Sequence, residues 1–180
     1  MGCASVNISL FNSVRVSGYH IQEAGANAAL ELEFTIADGL EYVRTAVEVA
    51  NLKVDNVAPR LSFFWGIGVD FYTKITKMGS GRMMREKLIK ERYQPKNSKS
   101  LLMIAHCQTS VYSLTEWQPS NNMVCTTVEA RSAIMGGEQS LHINFYDEAV
   151  GFTIPQLSRV ARNTQLILRE ETGMTELADP

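Results

Sequence analysis

Residues 61–68, LSFFWGIG, indicate the fold class of this 180-residue chain. The run follows Pro59, which cannot continue a helix, and nearly all of its residues are apolar or glycine. Short apolar runs of this kind are typical of strands buried in a parallel sheet. A second run, LLMIAHC at residues 101–107, has the same character. The chain is therefore expected to contain a parallel sheet whose strands are connected by helices.

The rest of the chain repeats this unit of a strand followed by a helix. Strands are predicted at residues 13–18, 61–68, 101–107 and 139–144, and helices near 30–50, 70–92, 123–135 and 156–172. In the first helix Leu30, Phe34, Leu40 and Val43 are among the apolar residues spaced three or four apart, which predicts that they share a buried face. Four such units fit an open doubly wound sheet or a (β/α) barrel, and the long helices and short, evenly spaced strands favour the barrel. A complete barrel takes about 250 residues, so we predict an α/β chain with a partial (β/α)₈ TIM-type barrel of about four units, half of the whole.

Composition excludes several classes of function. The net charge of −2 and pI near 5.9 provide no general attraction to nucleic acid or to an anionic membrane. No apolar run approaches the ~20 residues of a membrane span, and the N-terminal ten residues are too short and weakly charged for a targeting segment. Three cysteines without CxxC spacing suggest neither a disulfide framework nor a zinc site. Lysine and arginine concentrate between residues 74 and 99, which we interpret as a solvated helix face.

The three histidines are the strongest functional signal in the residues themselves. His20, His106 and His142 each lie at the predicted carboxyl end of a strand, and in parallel α/β folds these ends meet at the edge that carries the active site. A single histidine there is usually structural, but three of them among polar neighbours favour a binding cleft. The neighbours are Tyr19, Gln22 and Glu23; Gln108, Thr109 and Ser110; and Gln139, Asn144 and Glu148. His106 and Cys107 are adjacent on a strand and so face opposite ways, which argues against a Cys–His pair. Most aspartates and glutamates are expected on exposed helix faces.

Nine motifs, in order, resemble the large catalytic chain of the methylmalonyl-CoA mutases. They are FNSVRVSGYHIQEAGA (11–26), IADGLEY (36–42), APRLSFFWGIG (58–68), QPKNSKSLL (94–102), AHCQTS (105–110), SLTE (113–116), GGEQSLHIN (136–144), DEA (147–149) and ARNTQLIL (161–168). The resemblance runs from residue 11 to about residue 180 and implies the second half of that family's substrate-binding (β/α)₈ barrel. Related enzymes acting on isobutyryl-CoA or ethylmalonyl-CoA share much of the pattern and remain open alternatives.

The resemblance implies an isomerase that interconverts methylmalonyl-CoA and succinyl-CoA through adenosylcobalamin, whose cobalt–carbon bond opens to start a radical rearrangement. His20 matches the histidine that hydrogen-bonds the thioester carbonyl, with Tyr19 beside it, and Glu23 matches a contact to the corrin amides. The other implied site residues are Arg60, Leu61 and Ser62 on the CoA portion; Gln108, Lys99 and His106 near the substrate; and Gln139, Asn144 and Glu148 on the cofactor side.

Departures from the family pattern set limits on this expectation. Leu10 stands where the family has a CoA-binding lysine, so residues 1–10 are expected to be an unrelated extension and 11–180 a partial barrel domain. No histidine lies in the DxHxxG context of the lower cobalt ligand, so no metal ligand and no cobalamin-binding domain are expected in this chain. We therefore expect the isolated chain to be inactive. The alternatives are a non-catalytic or regulatory fragment that pairs with a full-length mutase or with itself, and a truncated product. The expected location is the mitochondrial matrix in a eukaryote or the cytoplasm in a bacterium.

Overall fold

The structure, a computed structural model, describes residue 12, residues 14–151 and residues 155–178. The predicted extension at residues 1–10 lies outside this part of the chain. The described strands are β1 (Val14–Ser17), β2 (Leu61–Ile67), β3 (Ile104–Thr109) and β4 (Ser140–His142). The α-helices are α1 (Tyr19–Glu23), α2 (Ala28–Arg44), α3 (Val54–Val57), α4 (Phe71–Tyr93), α5 (Asn122–Met135), α6 (Pro155–Glu170) and α7 (Met174–Ala178). Short 3₁₀ turns at Ala58–Arg60, Ser98–Ser100 and Pro119–Asn121 precede β2, β3 and α5, and a π-helical turn, Thr45–Val49, extends α2.

The four strands form one parallel sheet in the order β1-β2-β3-β4. Consecutive strands are neighbours, and α2, α4 and α5 make the three crossovers between them. This arrangement confirms the predicted α/β class and the partial (β/α) barrel of four units. Each predicted strand and long helix is present, with boundaries shifted by a few residues.

Alternation along β2 separates the two faces of the sheet. Leu61, Phe63, Trp65 and Ile67 are buried in the main core, together with residues of α2, α4 and α5. The alternate residues of β2, including Phe64, point to the opposite face, which we call the open face. Side chains of a strand alternate in this way, so one face holds the helices and the other is free to line a cleft.

Two expectations about the helices are wrong. Leu30 and Phe34 are 42% and 54% exposed, because the buried face of α2 is rotated toward Glu31, Thr35 and Ile36. The basic segment 74–99 is not a uniformly solvated face either. Three cations of α4 within this segment are at most 7% exposed, namely Lys74, Lys77 and Arg85. They are buried because α4 packs between α2 and α5. Within the described residues, no helix combines the length and apolar character that crossing a membrane requires.

Candidate functional site

The turn between β1 and α1 places Tyr19 on the open face of the sheet. β1 ends at Ser17, Gly18 follows, and α1 begins at Tyr19. The Tyr19 ring stacks on Phe64 of β2, with centroids 5.0 Å apart and planes within 2°. Gly18 is required here, since a Cβ would lie 2.4 Å from Thr35 Oγ1. The short α1 is thus packed directly against the end of the sheet.

A row of hydrogen bonds crosses the carboxyl ends of the strands. Gln108 Nε2 donates to Tyr19 Oη at 3.2 Å and to Asn144 Oδ1 at 2.8 Å. Asn144 donates from its backbone N–H to Thr109 Oγ1 (2.8 Å) and from Nδ2 to the Thr109 carbonyl (2.5 Å). Burial raises the pKa of Tyr19, so its phenol is protonated at neutral pH. Three residues predicted from sequence are therefore brought together, from the first, third and fourth units of the fold.

Glu23 connects α1 to the loop after β3. Its two carboxylate oxygens accept from Ser110 Oγ at 2.6 Å and from the Tyr112 backbone N–H at 3.1 Å. The same loops border a cavity of about 340 Å³ whose lining includes Gln22 and Lys74. Each oxygen of a carboxylate has two lone pairs, so Glu23 can accept further hydrogen bonds from a ligand.

The three histidines occupy different surroundings. His20 is exposed on α1, and its Nδ1 lies 3.3 Å from Ser17 Oγ. His142 ends β4 and is also exposed. The prediction that His106 ends its strand is wrong, because β3 continues to Thr109.

His106 instead lies in the middle of β3, on the open face. Its Nδ1 is 2.7 Å from Ser140 Oγ, and its ring is tilted against Phe64 with centroids 5.0 Å apart. Burial and, to a smaller extent, the charge of Arg15 lower its pKa, which favours a neutral ring. The opposite orientation of Cys107 is confirmed, since that residue is fully buried in the core.

Arg60, predicted to bind CoA, and Lys99, predicted to lie near the substrate with Gln108, are both at the other end of the sheet. Arg60 and Lys99 sit in the 3₁₀ turns that precede β2 and β3. The buried Arg85 joins these turns by donating to the carbonyls of Ala58 (2.8 Å) and Ser100 (3.1 Å). The turns that carry Arg60 and Lys99 are therefore linked by a shared cation on α4.

The remaining predicted residues differ in what they can offer a ligand. Leu61 is 1% exposed in the core, so only its backbone can reach the open face, whereas Ser62 points toward that face. Gln139 lies before β4, at the amino end of the sheet, and its amide oxygen accepts from the Ala105 N–H at 2.6 Å. Glu148 is exposed in the turn that follows β4.

Sequence reasoning missed a set of buried charges behind the site. Glu31 of α2 and Lys77 of α4 form an ion pair with 2.6 Å between Oε2 and Nζ, and both side chains are at most 1% exposed. Glu129 of α5 is fully buried and accepts from Ser113 Oγ. Burial raises the pKa of Glu129 to about 8 and lowers that of Lys74 to about 8. No local signal marks these residues, because the apolar period of α2 points to the face of Leu30 and Phe34 rather than to Glu31.

Comparison with known proteins supports the resemblance found in the motifs. A family model described as methylmalonyl-CoA mutase matches residues 2–180. The chain is 59% identical over 170 residues to the mitochondrial methylmalonyl-CoA mutase of Pongo abelii, which covers 94% of the chain and 22% of that protein. For the probable methylmalonyl-CoA mutase of Caenorhabditis elegans the identity is 53%, over 94% of the chain and 23% of that protein. For the methylmalonyl-CoA mutase large subunit of Propionibacterium freudenreichii subsp. shermanii it is 48%, over 98% of the chain and 24% of that protein. The chain spans less than a quarter of the length of these relatives. It belongs to the methylmalonyl-CoA mutase family.

Proposed function

We propose that residues 11–180 form the part of a methylmalonyl-CoA mutase barrel that binds an acyl-CoA and adenosylcobalamin, in the interconversion of methylmalonyl-CoA and succinyl-CoA. The observation that carries this proposal is the hydrogen-bonded row of Tyr19, Gln108 and Asn144. It gathers polar groups at the carboxyl ends of parallel strands, where α/β enzymes bind their substrates. The Pongo abelii and Caenorhabditis elegans relatives are named as mitochondrial, which supports the mitochondrial matrix for a eukaryotic source. A bacterial source would place the chain in the cytoplasm.

In this proposal His20 donates a hydrogen bond to the thioester carbonyl. Its exposure supports this role, because a ligand on the open face can reach the ring. Ser17 Oγ lies next to Nδ1, which leaves Nε2 free to donate when it carries the proton. Tyr19, stacked on Phe64, forms the wall beside it, and Gln108 and His106 lie farther along the same face.

The residues at this end also fit a corrin, whose rim carries amide groups. Both oxygens of Glu23 are bonded once and retain a lone pair for an amide donor. Asn144 and the exposed Glu148 are assigned to the same side, whereas Gln139 is engaged at the amino end and would act through its position before β4. When bound, adenosylcobalamin supplies the radical chemistry of the rearrangement, and the protein residues bind and orient the reactants. Among the described residues, no cluster of three metal-ligating side chains is present.

The CoA portion is assigned to the amino end of β2 and β3. A guanidinium at Arg60 and an ammonium at Lys99 suit phosphate groups, and the Ser62 hydroxyl suits an amide or phosphate oxygen. Leu61 contributes through its backbone only. The shared contact of both turns with Arg85 supports a single CoA site formed from them.

Binding can be tested by titrating CoA into the ¹⁵N-labelled 180-residue chain and following backbone NMR shifts. We expect saturable shifts at residues 60–62 and 99, and their loss in Arg60→Met. Arg44→Met is a matched control, since Arg44 is an exposed arginine on α2 whose partners are Glu41 and Glu48. No saturable shift, or equal loss in both variants, would overturn the CoA assignment.

Turnover is a separate question from binding. The 180-residue chain corresponds to 22–24% of the length of the matched mutases, so we expect no conversion of methylmalonyl-CoA when it is incubated alone with adenosylcobalamin. Formation of succinyl-CoA under these conditions would contradict this expectation.

A second candidate function is association with a full-length mutase or with a second copy of the chain. Within the described residues β1 pairs only with β2 and β4 only with β3, so both outer strands present an edge. Such edges accept further strands, and exposed Phe34 and Tyr42 on α2 add apolar surface. Sedimentation velocity of the chain, alone and mixed with a full-length mutase, tests this candidate. A chain that stays monomeric and does not bind the mutase would exclude this candidate function.

A further inference from the structure

The backbone of Gly66 faces a gap in the sheet. In a parallel strand the N–H and C=O of one residue point to the same neighbour. Phe64 bonds toward β1, since its carbonyl accepts from the Gly18 N–H at 2.8 Å. Gly66, two residues on, points the same way, but β1 has already ended at Ser17. Both of its backbone groups are buried and need other partners.

Glu31 and Lys77 supply those partners. Glu31 Oε1 accepts from the Gly66 N–H at 2.9 Å, and Lys77 Nζ donates to the Gly66 carbonyl at 2.5 Å. The two side chains also bond each other at 2.6 Å. The ion pair thus takes the place of the next residue of β1. Buried charges persist in proteins when they are paired and their hydrogen bonds are satisfied, and this pair meets both conditions.

Two glycines, Gly66 and Gly18, lie where α1 packs against the sheet. A Cβ on Gly66 would lie 2.6 Å from Gln22 Oε1, so the Gln22 side chain occupies the space that a larger residue would fill. Lys74 Nζ donates to that oxygen at 2.7 Å and holds the amide in place. On the other side, a Cβ on Gly18 would lie 3.0 Å from Glu31 Cγ. Glu31 therefore lies next to the start of α1. It also accepts a hydrogen bond from the backbone of Gly66, the residue against which Gln22 of α1 packs.

We propose that the buried pair of Glu31 and Lys77 is a positioning device for α1 and thereby sets the placement of Tyr19, His20 and Glu23 in the cleft. The pair fixes Gly66, Gly66 supports Gln22, and Gln22 lies on the same helix as the three ligand-facing residues. The inference rests on the proposed function only in treating those residues as a ligand site. Its test uses the ligand-free chain, so its failure is seen independently of any failure to bind CoA or cobalamin.

The decisive variant is Glu31→Gln combined with Lys77→Met, which removes both charges and leaves no lone charge buried. We expect the variant to fold. Amide hydrogen exchange at Ala24 and Gly25 should speed up by about tenfold, the change expected for losing one hydrogen bond to a charged group. The pKa of Tyr19, raised by burial, should fall toward 10.0 as the ring loosens. Exchange at Ala105 and Cys107 in β3 should stay slow.

Two further variants make the outcome decisive. Glu41→Gln with Arg44→Met removes an exposed ion pair of the same kind and should change neither exchange nor the Tyr19 pKa. Gln22→Ala leaves the buried pair intact and should loosen α1 alone, which provides a test even where the double variant does not fold. Unchanged exchange at Ala24 and Gly25 in a folded variant would overturn the proposal. A uniform loss of protection across the sheet would also overturn it, because that is the result of a purely structural role.

Discussion

Glu129→Gln should remove a large part of the pH dependence of stability between about pH 4.5 and pH 8. Glu129 is fully buried, one oxygen accepts from Ser113 Oγ, and the other has no hydrogen-bond partner among the described residues. Burial raises its pKa to about 8 from the ordinary 4.5, with the Ser113 hydrogen bond opposing the change. Between these values the native state binds more protons than the unfolded state, so stability falls as pH rises. At about 1.4 kcal/mol per pH unit the full effect is about 5 kcal/mol.

Urea unfolding of the chain and of Glu129→Gln at several pH values from about 5 to 8 measures this effect. The variant cannot ionise and can still accept from Ser113, so it should be the more stable protein at pH 8 and show a flatter profile. A slope should remain in the variant up to about pH 7, because burial also raises the pKa of Glu138 to about 7, and the two profiles should differ most in shape between about pH 7 and pH 8. Glu41→Gln is the control, since its partner Arg44 lowers the pKa of that exposed carboxyl and places its effect below this range. Parallel profiles for the wild type and Glu129→Gln would refute the reasoning.

Three further predictions concern packing, loops and thiols. Gly39→Ala should destabilise the chain by about 1–2 kcal/mol in urea unfolding, because the new Cβ would lie 2.9 Å from the Phe63 ring. The cost of this overlap outweighs the gain in helix propensity. Gly79→Ala meets nothing within 4 Å and should stabilise it by up to about 1 kcal/mol. Asn122→Ala removes three hydrogen bonds to the backbones of two loops and should lower the free energy of unfolding by about 2–4 kcal/mol. Burial raises the pKa of the Cys107 thiol, so Ellman's reagent should label it only after denaturant is added, whereas the partly exposed Cys125 should react in the folded protein.

The sheet and its long helices were predictable because their signals are local. Apolar runs such as residues 61–68 and the breaks at Pro59 and Pro95 depend on neighbours in the chain. The orientation of α2 was not predictable in the same way. Counting every apolar residue at helical spacing assigned Leu30 and Phe34 to the core, whereas the sheet packs against a face that begins with Glu31. A helical period specifies a stripe of residues but does not specify which stripe meets the sheet.

The grouping of polar residues at the carboxyl edge of the sheet was predictable, and its details were less so. The rule that parallel strands end at the functional edge brought Tyr19, Gln108 and Asn144 together correctly. It misplaced His106, because the polar residues that follow it are also part of β3. The motif RLS similarly gave no warning that the Leu61 side chain points away from any ligand, since alternation along the strand decides this.

The buried charges could not be predicted because no single segment explains them. Lys77 is an ordinary surface residue by composition, and it becomes a core residue only where α2, α4 and the end of β1 meet. Its partner Glu31 lies 46 positions away, and the group that both of them serve is a backbone peptide. The need for the pair follows from the topology: β1 must end early so that the chain can turn into α1, and the early end leaves Gly66 unpartnered. The feature that places Tyr19 and Glu23 at the edge of the sheet is therefore the same feature that requires two charges beneath it.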